Sequence, residues 1–169
     1  SYQSFSSIGF GYTYIGYNHR RPPFDDPRVR RAHGMAINIE QIIEYVLYGE
    51  GERITGPYPV QTDWYDRTIE PLPFDVEGAR HLLETAGYAK NAEGWLEKDG
   101  EVLSFNLISN HGNPQRKAIL TIAQDAWRKI GVRCETRSFE WAVFLKDFVN
   151  TGEFDAVVLG WGLSPLDPD

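Results

Sequence analysis

The chain has 169 residues, 41% of them hydrophobic and 14% aromatic, with Lys+Arg 17 against Asp+Glu 24 and a net charge of -7. That suits one domain with a real core and speaks against a disordered chain. It offers none of the basic excess that nucleic-acid binding needs. One cysteine, Cys134, excludes an intrachain disulfide and a thiolate metal cluster.

In chain order, "YTYIGY" at 12–17 predicts a strand with Tyr12, Tyr14 and Gly16 on one face and Thr13, Ile15 and Tyr17 on the other. "NHRRPPFDDP" follows as a connection that Pro22 and Pro23 hold extended. Its basic residues, with "RVRR" after them, are interrupted by Asp25 and Asp26 and read as a solvated face. Asp26 caps a helix over roughly 27–36 with Pro27 at its first position. Asn38, with Gln41 three residues on, caps a second helix. Ile42, Ile43, Val46 and Leu47 form its buried stripe, and Gly49 stops it.

The stretch 50–74 has four Pro and no period, and reads as a long ordered loop whose Tyr58, Trp64, Tyr65 and Phe74 need something to pack on. Asp75 caps a third helix, with Phe74 placed to staple to Ala79. Ala79, Leu82, Leu83 and Ala86 form its inner face, and Gly87–Tyr88 its C-terminal motif. "NAEGWLEKDGEVLSFNLIS" predicts a hairpin turning at "KDGE", with Leu103, Phe105 and Leu107 on one face of its second arm. Asn113 and Pro114 begin a long helix with Ile119, Ile122, Ala123, Ala126 and Ile130 inside, ended by Gly131. "VRCETR" alternates as a strand, Trp141, Phe144, Leu145 and Phe148 stripe a further helix, and "GEFDAVVLGW" returns as a strand. Strand, helix, strand, helix, strand predicts an α/β fold, a sheet covered by helices. The last strand is apolar enough to be covered on both faces.

No catalytic constellation stands out. His19, His33, His81 and His111 share no metal-ligand spacing, and Glu77 with His81 is an ordinary helix pair. Cys134 reads as a buried spectator thiol. GxSxG and SxxK are absent, and "GFGYTYIG" precedes a strand, which is the wrong context for a phosphate loop. Asp167 and Asp169 flank Pro168 where turn chemistry suffices. They are nonetheless the carboxylates that a small hydrolase or transferase domain would use. The chain's end is more informative. In a covered parallel sheet, ligands sit at the carboxyl ends of strands, and Trp161 stands there between Gly160 and Gly162. Such a Trp either walls a ligand or plugs the sheet end, as it would in a purely structural or interaction domain. The local sequence leaves both open.

The segments "YIGYNHRRPPFDDPRVRRAHGMAINIEQIIEYVLYGEG", "PFDVEGARHLLETAGY", "DGEVLSFNLIS", "AILTIAQDAWRKIGVRCE" and "FEWAVFLKDFVNTGEFDAVVLGW" occur in an order and spacing that resemble the family-5 solute-binding proteins of ABC importers, the oligopeptide- and dipeptide-binding type. The resemblance covers essentially the whole chain. It implies one lobe, 1–169, of a two-lobed periplasmic binding protein of type II-like fold, a mixed sheet covered by helices with a long ordered Pro-rich loop at 50–74. The rest of the receptor would lie before Ser1 and after Asp169, which would also account for the missing signal segment.

The family resemblance further implies no catalysis and no cofactor, a membrane permease as partner, and a periplasmic or extracellular, membrane-anchored location. The solute would be a peptide, with nickel complexes, haem, oligosaccharides and opines as the family's other ligands. The resemblance also implies ligand contacts at Trp161, Gly162, Ser164 and Asp167. Ser164 stands where peptide receptors often carry an Asp for the peptide's ammonium, and Val157 and Val158 stand where oligopeptide receptors often carry an arginine. A hydroxyl cannot pair a cation as a carboxylate does.

Overall fold

A computed structural model of the chain describes residues 9–162. Strand β1 (Gly11–Tyr17) is followed by α1 (Pro27–Met35), α2 (Ile39–Tyr45), α3 (Val76–Thr85), the short strands β2 (Ala89–Lys90), β3 (Leu96–Lys98) and β4 (Glu101–Val102), then β5 (Ser104–Asn110), α4 (Pro114–Lys129), β6 (Arg133–Phe139), α5 (Trp141–Val143) running into a π-helical segment (Phe144–Val149), and β7 (Ala156–Gly162). The main sheet has the order β1-β7-β5-β6, and β2, β3 and β4 form a separate small sheet. β7 runs parallel to β5 and antiparallel to β1, and β5 is parallel to β6. The fold is therefore the expected mixed α/β sheet, with β7 as an inner strand.

Side-chain alternation divides the sheet into two cores. Phe105, Leu107, Cys134, Ala156 and Val158 pack with α1, α3 and α4 on one face. Ile108, Val157 and Leu159 pack with Phe144, Phe148 and Tyr14 on the other. This two-sided burial explains the nearly continuous apolar run of β7. An aromatic knot of Tyr17, Phe24, Phe105 and Trp127 encloses His33. Trp127, absent from the stripe read from sequence, is wholly buried and donates Nε1–H to the His33 carbonyl at 3.0 Å.

The helix starts follow local chemistry. Asp26 accepts from Arg28 N at 2.8 Å, Asn38 from Gln41 N at 3.2 Å, Asp75 from Gly78 N at 2.8 Å and Asn113 from Arg116 N at 2.9 Å. At the end of α3, Tyr88 N bonds Leu83 O and Gly87 N bonds Glu84 O, a Schellman closure that requires Gly87 at φ +96°. Asp99 and Gly100 both take positive φ, which gives the tight β3–β4 turn.

Several expectations fail. The 18–26 segment turns instead of running extended: Phe24 N bonds Arg21 O at 3.1 Å, and this bend drops the Phe24 ring into the core at 0% exposure. The second hairpin arm is not one strand. It breaks at Leu103, where N–H bonds Leu96 O, and β5 then enters the main sheet. The region 50–74 contains no helix or strand; of its four aromatics Tyr65 is half-buried, its hydroxyl accepting from Thr55 Oγ1 at 3.0 Å, while Tyr58, Trp64 and Phe74 are exposed. Phe74 thus makes no buried staple, and Asp75 N is held by Met35 O at 3.0 Å. Trp141 is no member of a buried stripe; it is 46% exposed.

Candidate functional site at the carboxyl ends of the strands

At the amino end of β7, Asn18, Arg21, Glu153 and Asp155 are tied into one set of polar contacts. Asn18 donates its side-chain amide to Gly152 O and Phe154 O at 3.0 and 2.9 Å. Asp155 accepts from Asn106 N, and Arg21 pairs with Glu153 and Asp155 at 3.1 and 3.5 Å. That end of the sheet is knitted shut.

The carboxyl end differs. β5 stays paired with β6 as far as Asn110 opposite Phe139, and β7 stays paired with β1 as far as Gly162 opposite Gly11. Between β5 and β7, however, the ladder holds only Leu107 opposite Ala156 and Ile108 opposite Val157. Beyond that point the wholly buried Ser109 hydroxyl donates to Val158 O at 2.8 Å. A covered parallel pair whose strands part at their carboxyl ends is where α/β sheets hold ligands.

Arg116, in the first turn of α4, fills the parting. Its Nη1 donates to Asn110 Oδ1, on β5, at 2.7 Å. Its Nη2 stands 3.1 Å from where a Cβ on Gly160, in β7, would sit, and that Cβ would also come within 2.9 Å of Tyr12 O. The absent side chain at 160 thus leaves room for the guanidinium. The guanidinium carbon lies 5.9 Å from the Trp141 ring centre, within cation–π range. Partial burial lowers the Arg116 pKa from its ordinary value, opposed by the nearby Tyr14.

The expected site residues divide into two groups. Trp161 is 58% exposed at the end of β7, opposite Tyr12, and Gly162 beside it is exposed. The indole does not plug the sheet end. Tyr12 and Tyr14, on the neighbouring β1, hold their ring centres 5.8 Å from each other. Ser164 and Asp167, and Asp169 with them, lie outside the described residues. Sequence reasoning missed Arg116, Asn110 and the open placement of Trp141. The usable signal was positional: each lies at or just after the carboxyl end of β5 or β6.

The remaining titratable groups are otherwise occupied. Burial pushes the Cys134 thiol up to about 12. Glu77 pairs with Arg80, not with His81, which faces Glu84 at 3.8 Å. Among the described residues, His, Cys, Asp and Glu form no group able to hold a metal ion, and no helix is long and apolar enough to cross a membrane. A surface hollow of about 490 Å³ on the long loop is lined by residues 62–67 alone, remote in sequence from the strand ends.

The family described as bacterial extracellular solute-binding proteins, family 5 Middle, matches residues 1–169. The chain is similar to di/tripeptide-binding protein 1 of Pseudomonas aeruginosa, 36% identical over 165 residues that make up 97% of this chain and 29% of that protein. Among solved structures it is similar to the oligopeptide-binding protein AppA of Bacillus subtilis in complex with a nonapeptide, with TM-score 0.88 and 33% identity over 95% of this chain and 33% of that one. It is similar also to NikA of Brucella suis in complex with Fe(III)-EDTA, with TM-score 0.86 and 27% identity over 96% of this chain and 32% of that one. The chain thus spans about three-tenths of the length of such relatives.

Proposed function

Because the chain belongs to the family-5 bacterial extracellular solute-binding proteins, we propose that residues 1–169 form most of one lobe of a two-lobed ABC-importer receptor. The receptor captures a small solute between its lobes and hands it to a membrane permease, without catalysis. The observation that carries this reading is the open carboxyl end of β5 and β7, with Trp161 58% exposed beside it. A structural domain would have closed that end, as this chain closes the opposite one with Asn18 and Arg21. Trp161 and Gly162, with Ser164 and Asp167 following, are the proposed ligand contacts on this lobe.

Peptides are the solute class we favour. Relatives named for di/tripeptides and oligopeptides match nearly the whole chain, and a Trp flanked by glycines offers a flat wall and an N–H to an extended backbone. Nickel complexes and haem are the runners-up, since relatives with those ligands share the fold. Capture works by closure: the solute shifts an open–closed equilibrium to the extent that it binds the closed form better. The receptor acts outside the cytoplasm, free in the periplasm or held by a lipid anchor.

The full-length receptor provides the test. Native mass spectrometry of the purified protein is expected to show a bound peptide, and calorimetry with a panel of di- to pentapeptides saturable one-to-one binding. A receptor that carries no peptide and takes up none of the panel refutes the peptide reading.

A further inference from the structure

Apart from the solute held between the lobes, we propose that the hollow on the 50–74 loop is a second binding site, for a neutral saccharide. Its volume of about 490 Å³ lies within the usual range of small-ligand sites, about 300–1,000 Å³. It is lined by Thr62, Asp63, Trp64, Tyr65, Asp66 and Arg67. Trp64 is 50% exposed and the neighbouring Tyr58 38%, their ring centres 6.4 Å apart and their planes inclined at 47°. Single surface rings are ordinary, but two set side by side at a polar hollow offer a platform. The loop holds this shape without a helix or strand. Thr62 donates from N and Oγ1 to Pro59 O at 3.0 and 2.8 Å, Thr55 Oγ1 donates to the Tyr65 hydroxyl at 3.0 Å, and Arg67 Nη2 donates to Val60 O. The Arg67 guanidinium carbon lies 5.8 Å from the Tyr65 ring centre. Long loops tied in this way are usually functional rather than mere connections.

The lining selects the ligand. Four of its six residues are polar or charged, and covering them with an apolar ligand would cost their hydration. Two carboxylates and one guanidinium leave no strong excess of either sign, so neither an anion nor a cation is favoured. A saccharide suits both halves of the lining: the C–H face of a pyranose lies on an indole, and its hydroxyls donate to a carboxylate and accept from a guanidinium. Such hydrogen bonds to ionised groups are about twice as strong as neutral ones. Asp63 is the group open to a sugar hydroxyl. It is exposed and makes no hydrogen bond or ion pair among the described residues, whereas Asp66 already accepts from Thr68 N and Oγ1 at 2.9 and 2.6 Å. The site draws no residue from β5, β6 or β7, so it is distinct from the parted strand ends. Outside the cytoplasm the same chemistry is offered by free oligosaccharides and by cell-wall glycan, and the test separates the two.

The test uses the full-length receptor. Calorimetry with cellotriose, maltotriose and chitotriose probes the loop, trialanine probes the cleft, and co-sedimentation with purified peptidoglycan probes cell-wall glycan. At least one trisaccharide is expected to bind one-to-one with a Kd of about 1 mM or lower. Trp64→Ala is expected to weaken that binding about tenfold or more, and Asp63→Asn severalfold, with trialanine binding as in the unaltered receptor. Should Trp64→Ala not fold, Asp63→Asn, at an exposed position that holds no internal bond, carries the same reading. Trisaccharide binding without co-sedimentation assigns the site to free oligosaccharides, and co-sedimentation lost in Trp64→Ala assigns it to glycan strands; either supports the proposal. Trisaccharide binding that both substitutions leave unchanged places the sugar elsewhere on the receptor and overturns the site. Failure of every trisaccharide and of peptidoglycan to bind overturns it as well. A receptor that takes a trisaccharide through Trp64 and ignores every peptide supports this site while refuting the peptide reading, so the two fail separately.

Discussion

His33 makes the chain's stability depend on pH in a way that one substitution isolates. The ring is wholly buried among Tyr17, Phe24, Phe105 and Trp127. Its Nδ1 lies 2.7 Å from Val29 O, an acceptor, so the proton sits on Nδ1 and Nε2 faces the core with no partner. Burial lowers its pKa from 6.5 to about 4. The unfolded chain takes up a proton as pH falls through 6.5, and the folded chain resists until about 4. Between those values the unfolded state binds more protons, so folding stability declines as pH drops and is unaffected above that window. At 1.36 kcal/mol per unit, the loss reaches about 3 kcal/mol by pH 4. His33→Leu removes the titration and keeps an apolar side chain. Urea unfolding followed by tryptophan fluorescence from pH 7.5 to 4 is expected to show the wild type losing about 3 kcal/mol relative to the variant. Carboxylates common to both proteins cancel in the difference. Parallel curves for the two proteins would mean that His33 is protonated or hydrated in the folded state, and the reasoning would fail.

Gly160→Val drives a Cβ to within 2.9 Å of Tyr12 O and 3.1 Å of Arg116 Nη2; overpacking of this kind costs about 1–3 kcal/mol, at roughly 2–4 °C of Tm per kcal/mol, and an unchanged Tm would show that the guanidinium moves aside freely. Asn113→Ala removes the cap of α4 and is expected to cost about 1 kcal/mol, with Asn113→Gly costing only a few tenths; equal losses in chemical denaturation would show that the cap bond contributes little. The isolated chain, as one lobe, is expected to fold but to bind peptides no better than millimolar, and micromolar binding in calorimetry would contradict capture between two lobes.

Elements whose cause is local were legible in the sequence. Asp26–Pro27, Asn38, Asp75 and Asn113–Pro114 each satisfy orphan amides within three residues, so the starts of α1 to α4 could be read before any packing was known, whereas the Glu140 cap of α5 was missed. Failures arose where tertiary contact decides. Phe24 sits in a polar, Pro-rich segment, and nothing nearby in sequence says that His33, Phe105 and Tyr17 assemble around it. Trp141 fits the spacing of a buried stripe with Phe144 and Phe148, yet its position beside the end of β6 leaves it half exposed. The aromatics of 50–74 were expected to pack because burial is the usual fate of such rings; Tyr65 is half-buried beside Thr55, but no helix or strand carries Tyr58, Trp64 and Phe74 toward a core.

The site shows the same division. Trp161 could be found because one strand and its flanking glycines mark it. Arg116 could not, because its meaning depends on three segments meeting: Asn110 at the end of β5, the first turn of α4, and Gly160 in β7, forty-four residues from Arg116. Read along the chain, Arg116 is an ordinary basic residue on the first turn of a helix. Only the strand order β1-β7-β5-β6 sets β7 beside β5, and only the early end of their ladder leaves a space for the guanidinium. The early end of that ladder is therefore what gives the Arg116 guanidinium its place between Asn110 and Gly160, and Gly160→Val probes that place from the β7 side.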